Sequence, residues 1–169
     1  GFSARQNYLA ARLSNPNFVN VFLGRLNQVV TENSLGGGAL VGEKVTLATQ
    51  EALLKTRKQF SEISTRLIGA SIRSGEQIAF LAGLDVMTIP PPAMEEFLKM
   101  QDLVSTMNSN IGKVIEPDIN FRHSQGARFT KLWELSDTFI QFVNDLVASA
   151  NLDKMSGSEM ELFCRERNV

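Results

Sequence analysis

Three times along this chain, a short apolar run of strand length gives way to a segment with helical spacing. The runs are Phe18-Val19-Asn20-Val21-Phe22-Leu23, Arg66-Leu67-Ile68-Gly69-Ala70-Ser71 and Asp85-Val86-Met87-Thr88-Ile89. Gly24 closes the first and Pro90-Pro91-Pro92 halts the third. Alternation of this kind implies parallel strands joined by right-handed helical crossovers. Continuous apolar runs further imply strands buried on both faces. The fold class expected is therefore α/β.

The connecting segments fit. Ser3 with Gln6 forms a capping-box pattern for a first helix over 3–13, ended by Asn15-Pro16. Residues 27–42 read as loop, with Gly36-Gly37-Gly38 as a mobile lid or plain linker. In 44–63, Val45, Ala48, Ala52, Leu53 and Phe60 can share one helical face. Ser74-Gly75-Glu76-Gln77 is a second capping box, and Gly83 sits where a helix ends. A third helix is expected over 93–107, with Met94, Phe97, Leu98 and Leu103 or Val104 on its apolar side. Glu95 and Glu96 suit the start of that helix. Residues 108–128 read as an irregular connection and 129–169 as a helical extension. That extension holds a long helix over 129–150, with Trp133 and several phenylalanines as packing residues, and a short helix over 158–167.

Composition narrows the function. Seventeen Lys and Arg face 18 Asp and Glu, a formal net charge of −1. A general nucleic-acid partner would call for a basic excess. No apolar run approaches the ~20 residues of a membrane span, and Gly1-Phe2-Ser3-Ala4-Arg5 lacks the apolar region of a signal peptide. A lone Cys164 permits no internal disulfide, so a cytoplasmic setting is expected. With one cysteine and one histidine, His123, no His/Cys metal site is expected. His123 itself reads as a surface residue.

Ligands of parallel α/β folds lie at the carboxyl ends of the strands. Those ends carry Gly24-Arg25, Ser71-Ile72-Arg73-Ser74, and Thr88 with Pro90. Arg25 and Arg73 are planar, permanent donors suited to phosphate oxygens, and Ser71 would complete an anion cradle. A single arginine after a strand is ordinarily a surface or ion-pair residue. Two on neighbouring strand ends leave that reading and a phosphate site evenly balanced. Ser74 reads as a helix cap, and no Walker loop is present.

Three pieces then resemble a known family: Phe2-Ser3-Ala4-Arg5-Gln6, Val21-Phe22-Leu23-Gly24-Arg25-Leu26, and Gly69-Ala70-Ser71-Ile72-Arg73 with Leu81-Ala82-Gly83-Leu84-Asp85-Val86-Met87-Thr88-Ile89-Pro90-Pro91. Together they look like the second half of transaldolase, in the Schiff-base aldolase group that includes fructose-6-phosphate aldolase. Phe129-Thr130-Lys131-Leu132-Trp133-Glu134 is similar to the C-terminal helices of some members. The resemblance implies a (β/α)8 TIM barrel, of which 1–107 would be the C-terminal part with the last three parallel strands. It implies a lysine Schiff base, transfer of a dihydroxyacetone unit between sugar phosphates in the pentose phosphate pathway, and no cofactor or metal. It assigns phosphate binding to Arg25, Ser71 and Arg73.

There are departures. Asn20-Val21 stands where serine before proline is common in the family, and Asn27 where an acidic residue often follows. The family's lysine, aspartate, glutamate and threonine lie before the Phe2-Ser3 piece, so no catalytic residue is expected in this chain. Lys44, Lys55, Lys99, Lys113, Lys131 and Lys154 all read as lying outside a barrel interior. A complete eight-stranded barrel needs roughly 200 residues or more. The expectation is thus the phosphate-gripping portion of a transaldolase-like enzyme. Its partners would be a sugar phosphate and either the missing part of the barrel or another copy of the chain. The alternative is a non-catalytic sugar-phosphate binder or assembly subunit of a split barrel.

Overall fold

The computed structural model describes residues 1–149 and 152–167, apart from the side chains of Gln101 and Leu103. Its elements run α1 (Ala4–Ser14), β1 (Phe18–Phe22), α2 (Leu23–Glu32), α3 (Val41–Gln59), β2 (Arg66–Ala70), α4 (Gly75–Phe80), β3 (Val86–Met87), α5 (Pro91–Leu98), α6 (Gln101–Thr106), α7 (Ser124–Ala127), α8 (Asp137–Val147) and α9 (Gly157–Glu166). Short 3-10 turns cover Arg128–Leu132 and Leu152–Lys154.

The strands form one parallel sheet in the order β1-β2-β3. Register is set by Phe18 opposite Arg66 and by Ile68 opposite Val86. The α/β class and the parallel pairing thus follow the alternation in the sequence. Val21, Val30, Val45, Leu53 and Leu67 are fully buried between the sheet and α2 and α3. Leu23, Leu47, Ile78 and Leu81 form a second cluster under α4. Tyr8, Phe139, Phe142, Val143 and Leu146 close a third between α1 and α8.

Several expectations need correction. The strands are not buried on both faces: Phe18 is 50% and Phe22 37% exposed, and Phe2 stacks beside Phe22 at 5.8 Å. An edge strand with an open face escapes the burial that an apolar run implies. Residues 27–32 are not loop; Leu23, Leu26 and Val30 recur at helical spacing and bury one side of α2. β3 spans two residues rather than five. At its start the Leu67 N–H donates to the Asp85 carboxylate instead of a backbone carbonyl, while Thr88 N–H still reaches the Gly69 carbonyl at 2.9 Å.

The helix expected over 93–107 starts at Pro91 and breaks at Lys99–Met100 into α5 and α6. Leu103, expected on its apolar side, has its side chain outside the described residues. Glu95 and Glu96 therefore miss the first turn, and Glu96 instead accepts the Gly75 N–H at 2.9 Å. The long helix expected from Phe129 is a 3-10 turn, then a break, then α8, because Ser136 caps a fresh start by accepting the Phe139 N–H. Its expected end at Ala150 lies outside the described residues, as does residue 169 at the end of the extension.

The glycine run is no lid. Gly38 N–H donates to the Asp118 carbonyl at 3.0 Å, Asp118 N–H to Ala39 at 2.9 Å, and Asn120 N–H to Leu35 at 2.6 Å. Gly36 and Gly38 adopt positive φ, 145° and 75°, to make that pairing. Lys44 adds a further tie to this strap: its ammonium donates to the Ile115 carbonyl at 2.7 Å and sits 4.9 Å over the Trp133 ring.

Candidate phosphate site at the strand ends

The carboxyl ends of β1 and β2 bring the expected residues together. α2 begins directly after β1, so Gly24 and Arg25 lie in its first turn. A Cβ on Gly24 would stand 2.5 Å from the Ser71 carbonyl oxygen, 2.7 Å from Arg73 Nε and 3.0 Å from Ser71 Oγ. Glycine is what lets the turn after β2 and the Arg73 side chain lie against the start of α2. Ser71 takes φ +66°, a left-handed conformation that strains a residue with a Cβ.

Two of the donors here are uncommitted. Arg25 is exposed, and neither it nor the Ser71 hydroxyl has a hydrogen-bond partner among the described residues. Arg73 is exposed and donates through Nη2 to Gln28 Oε1 at 3.0 Å. Its backbone N–H donates to Gln77 Oε1 at 2.7 Å. Ser74 is occupied as the cap of α4, accepting from Gln77 N. Thr88 is held by the Gly69 carbonyl. A cluster of charged and hydroxyl donors on adjoining strand ends can hold an anion.

Beneath the arginines runs a polar network that the sequence did not reveal. Glu43, 3% exposed at the start of α3, accepts from Asn27 Nδ2 at 3.0 Å and from Gln77 Nε2 at 2.6 Å. Asn27 Oδ1 accepts the Gly42 N–H at 2.6 Å. Asn27, Leu40, Glu43, Ser74 and Gln77 line part of a cavity of about 330 Å³. The signal that would have exposed Glu43 is the Leu23/Leu26/Val30 spacing, since α2 is what covers it.

Residues 2–152 match the family model described as Transaldolase/Fructose-6-phosphate aldolase. The chain belongs to this family. It is 32% identical over 96 residues to a probable transaldolase of Parvibaculum lavamentivorans, and 29% identical over 97 residues to a transaldolase of Chlamydia caviae. These matches cover 56% and 57% of this chain but only 38% and 29% of the two relatives. This transaldolase-family chain thus spans well under half of the curated relatives it matches.

Arg66, exposed at the opposite end of β2, is the charged residue within the strands. The three strands carry no lysine. Lys55 pairs with Glu51 on the exposed side of α3, and Lys113 donates to Asn110. Lys58, Lys99, Lys131 and Lys154 are exposed. His123 is exposed and accepts the Gln125 N–H through Nδ1. Among the described residues there is no metal-ligating cluster and no helix long and apolar enough to cross a membrane.

The other end of the sheet is different. The Asp85 carboxylate receives two hydrogen bonds from Arg57 at 2.9 Å, one from Leu67 N and one from Gln50, both at 3.0 Å. Burial pushes the Asp85 carboxyl up. The Arg57, Leu67 and Gln50 hydrogen bonds, with the Arg57 charge, outweigh that and hold it below the usual carboxylate range.

Proposed function

We propose that these residues form the phosphate-gripping side of a transaldolase-type (β/α)8 barrel, with Arg25, Ser71 and Arg73 holding the phosphate of a sugar phosphate. The observation that carries this reading is the approach of the Arg73 side chain and an uncommitted Ser71 hydroxyl to Gly24, next in sequence to the unpaired Arg25, on adjacent strand ends, in a chain of this family. Two guanidinium groups match the charge and the oxygen geometry of a phosphate dianion. The left-handed turn at Ser71 then has a purpose, since strain of this kind persists where it places a functional group.

The reaction we propose is the Schiff-base chemistry that the resemblance implies. A lysine amine condenses with the ketose carbonyl with loss of water. A base takes the proton of the hydroxyl on the carbon β to the imine, and the bond between the α and β carbons breaks, releasing an aldose phosphate. The enamine left on the lysine attacks the carbonyl of a second aldose phosphate, and water hydrolyses the imine to free product and amine. The lysine comes from residues outside these 169. The lysines within them lie on helices or connections, and none stands on the three strands. The chain's own contribution is to fix the phosphate end, so that the carbonyl end is presented at a constant distance.

The test is titration of the chain with inorganic phosphate and fructose 6-phosphate by calorimetry. The parent binds, and the Arg25→Ala/Arg73→Ala double variant loses about 3–6 kcal/mol of binding, since charged hydrogen bonds are worth ~1.5–3 each. Equal binding by both proteins would overturn the assignment. Borohydride with fructose 6-phosphate should trap no adduct on this chain alone; a trapped lysine within it would place the chemistry here.

A second reading has its own support. The outer side of β1 is partly taken, since Gly1 accepts the Phe22 N–H and Asn7 donates to the Asn20 carbonyl, but β3 has no strand beyond it among the described residues. An open edge of this kind accepts another strand. On this reading the chain is a binding or assembly subunit that pairs with the rest of a barrel or with its own copy.

A further inference from the structure

Glu43 presents a problem of its own. A carboxylate removed from water needs donors, and replacing such a group with an apolar side chain is often neutral or stabilising. Yet Glu43 is 3% exposed and its donors are two neutral amides, with no ion pair among the described residues. Those amides belong to Asn27 and Gln77. They sit in the first turn or two of α2 and α4, the helices that start from the β1 and β2 ends of the candidate site.

The chemistry of a carboxylate explains the choice. It accepts only, so it forces the NH2 group of Gln77 toward itself. That turns Gln77 Oε1 outward, where it accepts the Arg73 N–H at 2.7 Å. The same logic holds Asn27: its NH2 faces Glu43, and its Oδ1 takes the Gly42 N–H. Arg73 is then fixed at both ends, by Gln77 at its backbone and by Gln28 at its guanidinium.

We propose that Glu43 is a positioning residue for the phosphate site, acting through the orientation it imposes on the Gln77 amide and hence on the Arg73 backbone. It touches no substrate. The inference rests on the phosphate reading above, and its test keeps the two apart by using one readout with ligand and one without.

The experiment compares the chain with its Glu43→Gln, Gln77→Glu and Glu43→Gln/Gln77→Glu variants. Hydrogen exchange at the Arg73 amide reads the relay, and titration with inorganic phosphate reads the site. In Glu43→Gln the new amide can donate to Gln77 Oε1 and draw it off Arg73. Arg73 exchange should quicken, and phosphate affinity fall, about five- to tenfold. Gln77→Glu sets two carboxylates face to face and should do the same or more. The double swap restores one donor facing one acceptor and leaves an acceptor for Arg73. Both readouts should return to within about twofold of the parent, a rescue that loss of packing alone would not give.

Parent-like exchange and affinity in Glu43→Gln would overturn the relay, as would a double swap no better than Gln77→Glu. A parent that fails to bind phosphate would overturn the phosphate reading instead, and the exchange series would still decide whether Glu43 governs Arg73.

Discussion

The two ends of the three-stranded sheet are built to opposite rules. At the amino ends, Asp85, Arg57, Gln50 and the Leu67 N–H satisfy one another. Gln50 also accepts the Asp85 N–H, and Arg57 also donates to the Thr65 carbonyl. At the carboxyl ends, Arg25 and Ser71 have no partner among the described residues, and Ser71 is held in a strained turn. One end pairs its charges with one another, and the other leaves Arg25 and the Ser71 hydroxyl unpaired among the described residues. In parallel α/β barrels generally, the carboxyl ends of the strands serve the ligand and the amino ends the fold.

The contrast can be broken most severely at the closed end. Asp85→Ala strands Arg57, Gln50 and the Leu67 N–H together, and should cost about 3 kcal/mol in denaturant unfolding. Phosphate affinity of the folded fraction should stay near the parent. Next comes the seam of the open end. Gly24→Ala puts a methyl against the Ser71 carbonyl, a backbone atom that cannot swing aside. It should cost about 1–3 kcal/mol and, unlike Asp85→Ala, weaken phosphate binding as well.

Acid offers a milder comparison. The Asp85 carboxyl titrates below its unfolded value, so its stabilisation is fully present above the ordinary aspartate range near pH 4 and drains as pH falls through its folded value. Below about pH 4 the parent should therefore lose stability more steeply than Asp85→Asn, which has no proton to take up at that position. Identical slopes in thermal melts would remove Asp85 as the closed end's anchor. The smallest effect is Ser71→Gly. Relief of the left-handed strain, partly offset by the freer unfolded chain, should raise stability by about 0.5 kcal/mol. Loss of the hydroxyl should lower phosphate affinity, so stability and binding move in opposite directions.

Much of this was legible in the sequence where the signal was local. The alternation of runs implied the parallel strands, and Arg25, Ser71 and Arg73 fell on adjoining strand ends as the strand boundaries implied. What escaped depends on partners distant in sequence. The Gly36–Gly38 run looks flexible until Asp118 and Asn120 are brought beside it. β3 looks five residues long until the Asp85 side chain takes a ladder donor. Gln77 reads as the capping-box partner of Ser74, and Glu43 draws no notice, until the fold buries Glu43 and turns the Gln77 side chain to it and to the Arg73 N–H instead of back to Ser74. Periodicity reports which face is apolar; it carries no information about which amide meets which carboxylate.

The pinning of the glycine run has a consequence in time. Gly38 must wait for a partner eighty positions later in the chain, since its N–H donates to Asp118. At about 5–20 residues per second of synthesis, that is a delay of roughly 4–16 s. During it, β1, α2 and α3 can already have emerged while the bend between the two helices has nothing to hold. The bend between α2 and α3 is therefore fixed only once Asp118 has emerged.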